Sequence, residues 1–254
     1  MFSIWSISNR TNGIKGPWLP GFISLLFPEK CAFCRTLLLT RGEEIPVLCL
    51  ACEKEIQWMV PPHCPRCGRP FPKGSTSHLC SDCLKQKLFF DWGRAVVLYQ
   101  GVLAEAIRRF KYHGDISLAG PLGLFWNRMN LEDLSFEAIL PVPLHPARLR
   151  ERGFNQALLL GKILAKIHNK KVLPKALRRI RNTIPQVQLD HSERERNVRG
   201  AFAVREKQEI LDKRLLLVDD VFTTGATVNE CARVLKKSGA KEVFILTLAR
   251  VGAA

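Results

Sequence analysis

Apolar and polar positions divide the chain into two textures. Before about residue 91, apolar residues are scattered among cysteines, prolines and basic side chains. After it, short apolar runs alternate with stretches of helical period. Leu215, Leu216, Leu217 and Val218 form an unbroken apolar run, the pattern of a strand buried on both faces of a parallel sheet. Shorter strand candidates lie at 95–99 and 136–140, and a further one with basic edges at 172–181. Helical spacing appears at 103–110, with 111–115 ending it, at 118–127 and at 228–237. Asn155 is placed to cap another helix reaching about residue 168, with Leu158, Leu159, Ile163, Leu164 and Ile167 toward the core. Ser238 and Gly239 stop the helix at 228–237, and Lys236 and Lys237 suit its negative end. Strands alternating with helices predict an α/β fold, a parallel sheet flanked by helices. Residues 182–200 are polar and rich in arginine, which reads as a lid or a solvated hairpin. Residues 1–17 read as a mobile tail and 18–27 as a short packing segment.

The cysteines change the picture of the first part. Of nine, eight fall into four Cys-x-x-Cys pairs: Cys31 and Cys34, Cys49 and Cys52, Cys64 and Cys67, Cys80 and Cys83. Such a pair sets two sulfurs on one side of a tight knuckle, and two knuckles complete a tetrahedral Cys₄ site for structural Zn²⁺. The gaps of 14 residues (35–48) and 12 residues (68–79) each suit a hairpin, so two consecutive ribbon-like units are expected. Interleaved pairing of the knuckles stays open. Four sulfurs per ion leave no place for a reactive water, so the two zincs are expected to be structural. Cys231, alone on a helix, reads as a small buried residue.

Chemistry concentrates where the apolar run ends. Asp219 and Asp220 follow it, then Thr223, Thr224, Gly225, Ala226 and Thr227 lead into a helix. Free N–H groups and the helix dipole make such a turn an anion site, which Gly225 lets a phosphate approach closely. The acids cannot hold phosphate themselves; they suit ribose hydroxyls or Mg²⁺ bridging to an anionic ligand. No GxxxxGK[ST] cradle or GxGxxG fingerprint is present, which argues against a P-loop NTPase or a dinucleotide-binding protein. The block resembles the phosphoribosyl-pyrophosphate (PRPP) loop of type I phosphoribosyltransferases.

A second basic segment narrows the resemblance. Pro141, Val142, Pro143 and Leu144 lead to Arg148, Arg150 and Arg152, then Gly153, Phe154, Asn155 and Gln156. Guanidinium groups at a strand-to-helix turn suit pyrophosphate. This pattern, with the paired cysteines, is similar to the ComF family of competence-associated proteins, also called amidophosphoribosyltransferase-like or GntX-type. The resemblance implies a tail and packing segment at 1–25, a double zinc ribbon at 26–90 and a type I phosphoribosyltransferase-like domain at 91–254. It also implies that 183–189 and 194–202 form a mobile loop. Closure of that loop would bring Arg194 over a reactive ribosyl centre to exclude water and neutralise departing pyrophosphate. Asp219 and Asp220 would complete the catalytic set. Ligand binding would rest on these acids, the 223–227 loop, Arg148 and Arg152.

Charge leaves three classes of function open. The chain has 39 basic and 23 acidic residues, a net +16. Eight thiolates and two Zn²⁺ would bring this to about +12. Residues 144–214 hold 18 Lys and Arg against 7 Asp and Glu, so the excess lies around the proposed active face. One reading is a PRPP-binding competence factor that handles single-stranded DNA through Arg148, Arg150, Arg152, Arg194, Arg196 and Arg199 on one rim. Another is a working phosphoribosyltransferase whose acceptor the sequence does not name. The third is a scaffold docking a helicase-like partner. No stretch is long and apolar enough to span a membrane, and 1–16 lacks an export signal, so cytoplasm is the expected location.

Overall fold

The computed structural model describes residues 6–8, 29–38, 44–183 and 191–252. β1 (Ser6–Ser8) and β2 (Glu44–Pro46) pair antiparallel, so part of the expected tail is strand. The expected packing segment at 18–27 lies outside the described residues. Two short helices, α1 (Leu50–Glu55) and α2 (Ser81–Lys85), each begin directly after a cysteine. Then come β3 (Trp92–Leu98), α3 (Gly101–Tyr112) and α4 (Ala119–Gly123). β4 (Ala138–Pro141), α5 (Pro146–Arg152), α6 (Gln156–His168) and β5 (Lys171–Val172) follow. β6 (Leu177–Arg179), α7 (His191–Val198) and β7 (Phe202–Val204) lead to β8 (Arg214–Phe222), α8 (Ala226–Lys237) and β9 (Glu242–Arg250).

The main sheet is parallel throughout, in the order β3-β9-β8-β4-β5. β8 occupies its centre. Successive side chains of a strand point to opposite faces, so the unbroken run of β8 supplies two cores. Leu216 and Val218 join Leu103, Ile107 and Phe110 of α3 and Leu160 and Leu164 of α6. Leu215 and Leu217 join Val228, Cys231, Ala232 and Leu235 of α8 on the other side.

Among the described residues, the cysteine segment builds no core apart from these two. Cys31, Phe33, Cys52 and Ile56 pack into the first, while Cys64, Cys67, Cys80 and Phe90 pack into the second. It also covers the edge strand β3. Met59 and Leu98 amides donate to the Val96 and Gln57 carbonyls, and the Gly93 amide donates to Arg66 at 2.7 Å. Groups that would otherwise invite another strand are thereby paired.

Several boundaries differ from the sequence expectation. The expected helix at 118–127 is α4 between two 3₁₀ turns. Gly120 and Pro121 weaken it, and Gly123 presses so close to α6 that a Cβ would sit 2.6 Å from Ile163 Cδ1. The expected strand at 172–181 is two strands in different sheets, since Pro174 cannot donate to a ladder. α6 has the predicted cap, Asn155 Oδ1 accepting from the Leu158 amide at 3.3 Å. Its buried face, however, is Gln156, Ala157, Leu160, Gly161, Leu164 and Ala165; of the five residues expected there, Leu164 alone is fully buried and Ile167 is exposed. Small residues let α6 approach the sheet closely, which a count of large apolar side chains overlooks. β8 does not stop before the acids but runs through them to Phe222.

Candidate functional site

At the C-terminal end of β8 the acids turn to different neighbours. Asp219 lies in register with Thr247 of β9, and its Oδ1 accepts from the Asp220 amide at 2.9 Å. Asp220 meets α3, where its Oδ1 lies 2.8 Å from Lys111 Nζ between two largely buried side chains. Burial and the Asp220 charge push the Asp219 carboxyl up to about 7, against the pull of Lys111. Burial works against a charge on Lys111, yet Asp220, and Asp219 behind it, hold its ammonium above the usual lysine range.

The loop after β8 is shaped by Gly225, which has a φ of +82° and caps α8. A Cβ there would lie 2.5 Å from Phe222 Cζ, so glycine is required twice over, for conformation and for space. Thr224 Oγ1 accepts from the Ala226 amide at 3.4 Å, and the first-turn amides of α8 converge on the loop.

Across from this loop stands α5. His145 Nδ1 caps it by accepting from the Ala147 amide, Pro146 opens it, and Gly153 closes it in the left-handed conformation. Arg148 and Arg152 are four residues apart and share a helix face. Arg152 lies 5.2 Å over the Tyr112 ring. Asn155 ties α6 to the strand end, its Nδ2 donating to the Val142 carbonyl at 3.0 Å.

One cavity of about 580 Å³ unites most of the expected residues: Asp219, Asp220, Thr223, Gly225, Thr227, Arg148, Arg152 and Arg194 line it. Thr224 and Ala226 do not; the first accepts from the Ala226 amide and the second is buried at the edge of a separate cleft. The six arginines expected on one rim are divided. Arg150 and Arg196 are exposed outside the cavity, and Arg199 lines the separate cleft beside Glu230 and Arg233. For Arg150 the cause is helical geometry, because it lies two positions from Arg148 and Arg152 on α5 and so points to a different side. Residues 184–190 of the expected mobile loop lie outside the described residues; 194–198 belong to α7.

The cavity also holds residues that the sequence reading passed over. Lys111 was taken as helix end, but it lies eight residues after Leu103 and four after Ile107, on the apolar stripe of α3, where a lysine is a signal. Gln156 is 2% exposed, and its Nε2 has no partner among the described residues. Arg179 of β6 donates to Thr183 Oγ1, lies 5.4 Å over the Phe202 ring, and leaves Nε without a partner among the described residues. Unpaired buried donors in a cavity wall are costly until something accepts from them.

The cysteines group sequentially: Cys31, Cys34, Cys49 and Cys52 in one cluster, Cys64, Cys67, Cys80 and Cys83 in the other, each with sulfurs within 4.8 Å of one another. Sulfur separations of 3.6 Å (Cys34 to Cys49), 3.7 Å (Cys64 to Cys83) and 3.6 Å (Cys67 to Cys80) are far too long for disulfides. They match the edge of a tetrahedron built on Zn–S bonds of about 2.3 Å. Burial opposes a charge on Cys64, but the Cys67, Cys80 and Arg66 amides bring its thiol down to about 6. Burial pushes Cys67 up to about 11 and Cys83 up as well, so the support for a metal is the tetrahedral spacing of the sulfurs. Both clusters therefore fit structural zinc. The second is also wired to the loop after β8. Arg250 Nη1 donates to the Cys67 carbonyl at 2.9 Å, and the same guanidinium stacks 4.2 Å over Phe222, the ring that meets Gly225.

Known proteins match both halves in the same order. The double zinc ribbon domain family matches residues 22–84, and the phosphoribosyl transferase domain family matches 157–254. Competence protein F of Haemophilus influenzae is 35% identical over 233 residues, covering 88% of this chain and 98% of that one. Competence protein ComFC of Bacillus subtilis is 28% identical over 226 residues, with coverage of 85% and 88%. DNA utilization protein YhgH of Escherichia coli is 31% identical over 236 residues, with coverage of 89% and 99%. Identity at this level, running almost the full length of these relatives and through both matched families, places the chain in the ComF family.

Proposed function

We propose that this protein binds PRPP, or a closely related phosphorylated ribose, in the β8–α8 cavity and serves competence, the uptake and handling of single-stranded DNA. One observation carries the ligand reading: the acid pair and the Gly225 loop face Arg148, Arg152 and Arg194 across a single cavity. The 5′-phosphate fits the amides of the loop and first turn of α8. Ribose hydroxyls fit the Asp219 carboxylate, and the arginines fit pyrophosphate. Mg²⁺, when it accompanies PRPP, would neutralise the charge of the pyrophosphate beside the acid-lined side of the cavity. If transfer follows binding, Arg194, which lines the cavity, would be the group that covers the ribosyl centre. A thermal-shift titration with PRPP and Mg²⁺ tests the reading: the native chain should be stabilised by several degrees at millimolar ligand, and Gly225→Val should abolish the shift. No shift with the native chain would refute it.

The competence role draws on the relatives' names and on the net charge of +11 over residues 144–214. Contacts of this kind are electrostatic and weakly sequence-dependent. Affinity for single-stranded DNA should fall on the order of tenfold or more between about 50 and 200 mM salt. Arg148→Glu with Arg152→Glu should weaken it. Binding that survives 0.5 M salt, or ignores those reversals, would place DNA elsewhere on the molecule.

A further inference from the structure

Two adjacent carboxylates in a cavity for an anionic ligand pose an electrostatic problem. Both ionised, they repel each other and the incoming phosphates, and burial amplifies the repulsion. A divalent ion is one solution. The structure contains another, supplied by a different element. Lys111 of α3 reaches the pair from the apolar core beside Phe110, and its Nζ lies 2.8 Å from Asp220 Oδ1. Both side chains are largely shielded, so removing either one would leave the other as an uncompensated buried charge. Asp219 has no such ion pair among the described residues and lines the cavity.

We propose that Lys111 is a positioning residue serving as the built-in cation of the acid pair: it cancels the charge of Asp220 and leaves Asp219 as the single carboxylate offered to a phosphorylated ribose, without Mg²⁺ at that point. This deepens the ligand reading above and rests on it. Mg²⁺ then serves the pyrophosphate, and a ligand without pyrophosphate binds without metal.

Ribose 5-phosphate is the probe, titrated by calorimetry into the full chain in EDTA and in excess Mg²⁺. Native protein should bind with less than about threefold difference between the two conditions. Lys111→Gln leaves a buried carboxylate uncompensated; it should lose on the order of tenfold or more in EDTA and recover most of this with Mg²⁺. Adding Asp220→Asn to Lys111→Gln removes the uncompensated charge and should restore binding in EDTA, which a merely structural role for Lys111 would not produce. If Lys111→Gln alone fails to fold, the double variant carries the test by the same criterion. Equal metal dependence in the native and Lys111→Gln proteins, or a double variant that stays weak in EDTA, would overturn the inference. Absence of binding by native protein in both conditions overturns the ligand reading, and this inference with it.

Discussion

Asp219 is held between opposing influences. Burial and Asp220 raise its carboxyl to about 7, while Lys111 from α3 and Arg179 from β6 pull the other way, and buried Cys231 lies within their field. The folded chain thus keeps a proton that the unfolded chain releases at an ordinary carboxylate pKa of about 4. The contribution of this one carboxyl to stability is therefore complete below about pH 4 and declines as pH climbs through 7. Ligand binding should run oppositely, because ribose hydroxyls are best accepted by the ionised carboxylate: affinity should rise between about pH 6 and 8 and then level off. Asp219→Asn should raise stability at pH 8 by on the order of 1–2 kcal/mol while flattening the rise in affinity. Melting curves and calorimetry across that range check both; a destabilised variant, or an unchanged affinity profile, would show that Asp219 does not titrate there.

At the level of elements, the strongest patterns were readable from the chain. The run at 215–218 announced the central strand, the Asn155 cap announced α6, and the spacing of cysteines announced two clusters. Each is a local signal, carried by neighbours in sequence. The cavity wall was less legible, since Lys111, Gln156 and Arg179 come from three separate elements, and no local rule makes a lysine at a helix end face two carboxylates about 110 residues onward. α4 and β5 were misjudged for a related reason. Gly123 is dictated by Ile163 of another helix, and β5 keeps just two residues in the sheet before Pro174 turns the chain away.

For the molecule as a whole, the cysteine segment is built into the sheet domain. The second cluster is linked to the loop after β8 through Cys67, Arg250, Phe222 and Gly225, whereas the first packs into the core that holds Phe33, Phe110 and Phe125 on the opposite face. Cys64→Ser should remove about one of two zincs by elemental analysis and increase amide hydrogen exchange at both 60–85 and 222–227. Cys34→Ser should also cost about one zinc but leave exchange at 222–227 near native. Equal loosening of that loop in both variants would show that the contact chain carries no specific support. The same arrangement bears on how the protein is made. A chain emerging from its N-terminus presents Phe33, Val47, Leu48 and Ile56 long before the Phe125 and Trp126 that cover them, and Cys67 long before Arg250. During that interval the two Cys₄ clusters, which fit structural zinc, can be completed by residues already made, so a bound metal would hold the first third of the nascent protein in shape while it waits for the rest.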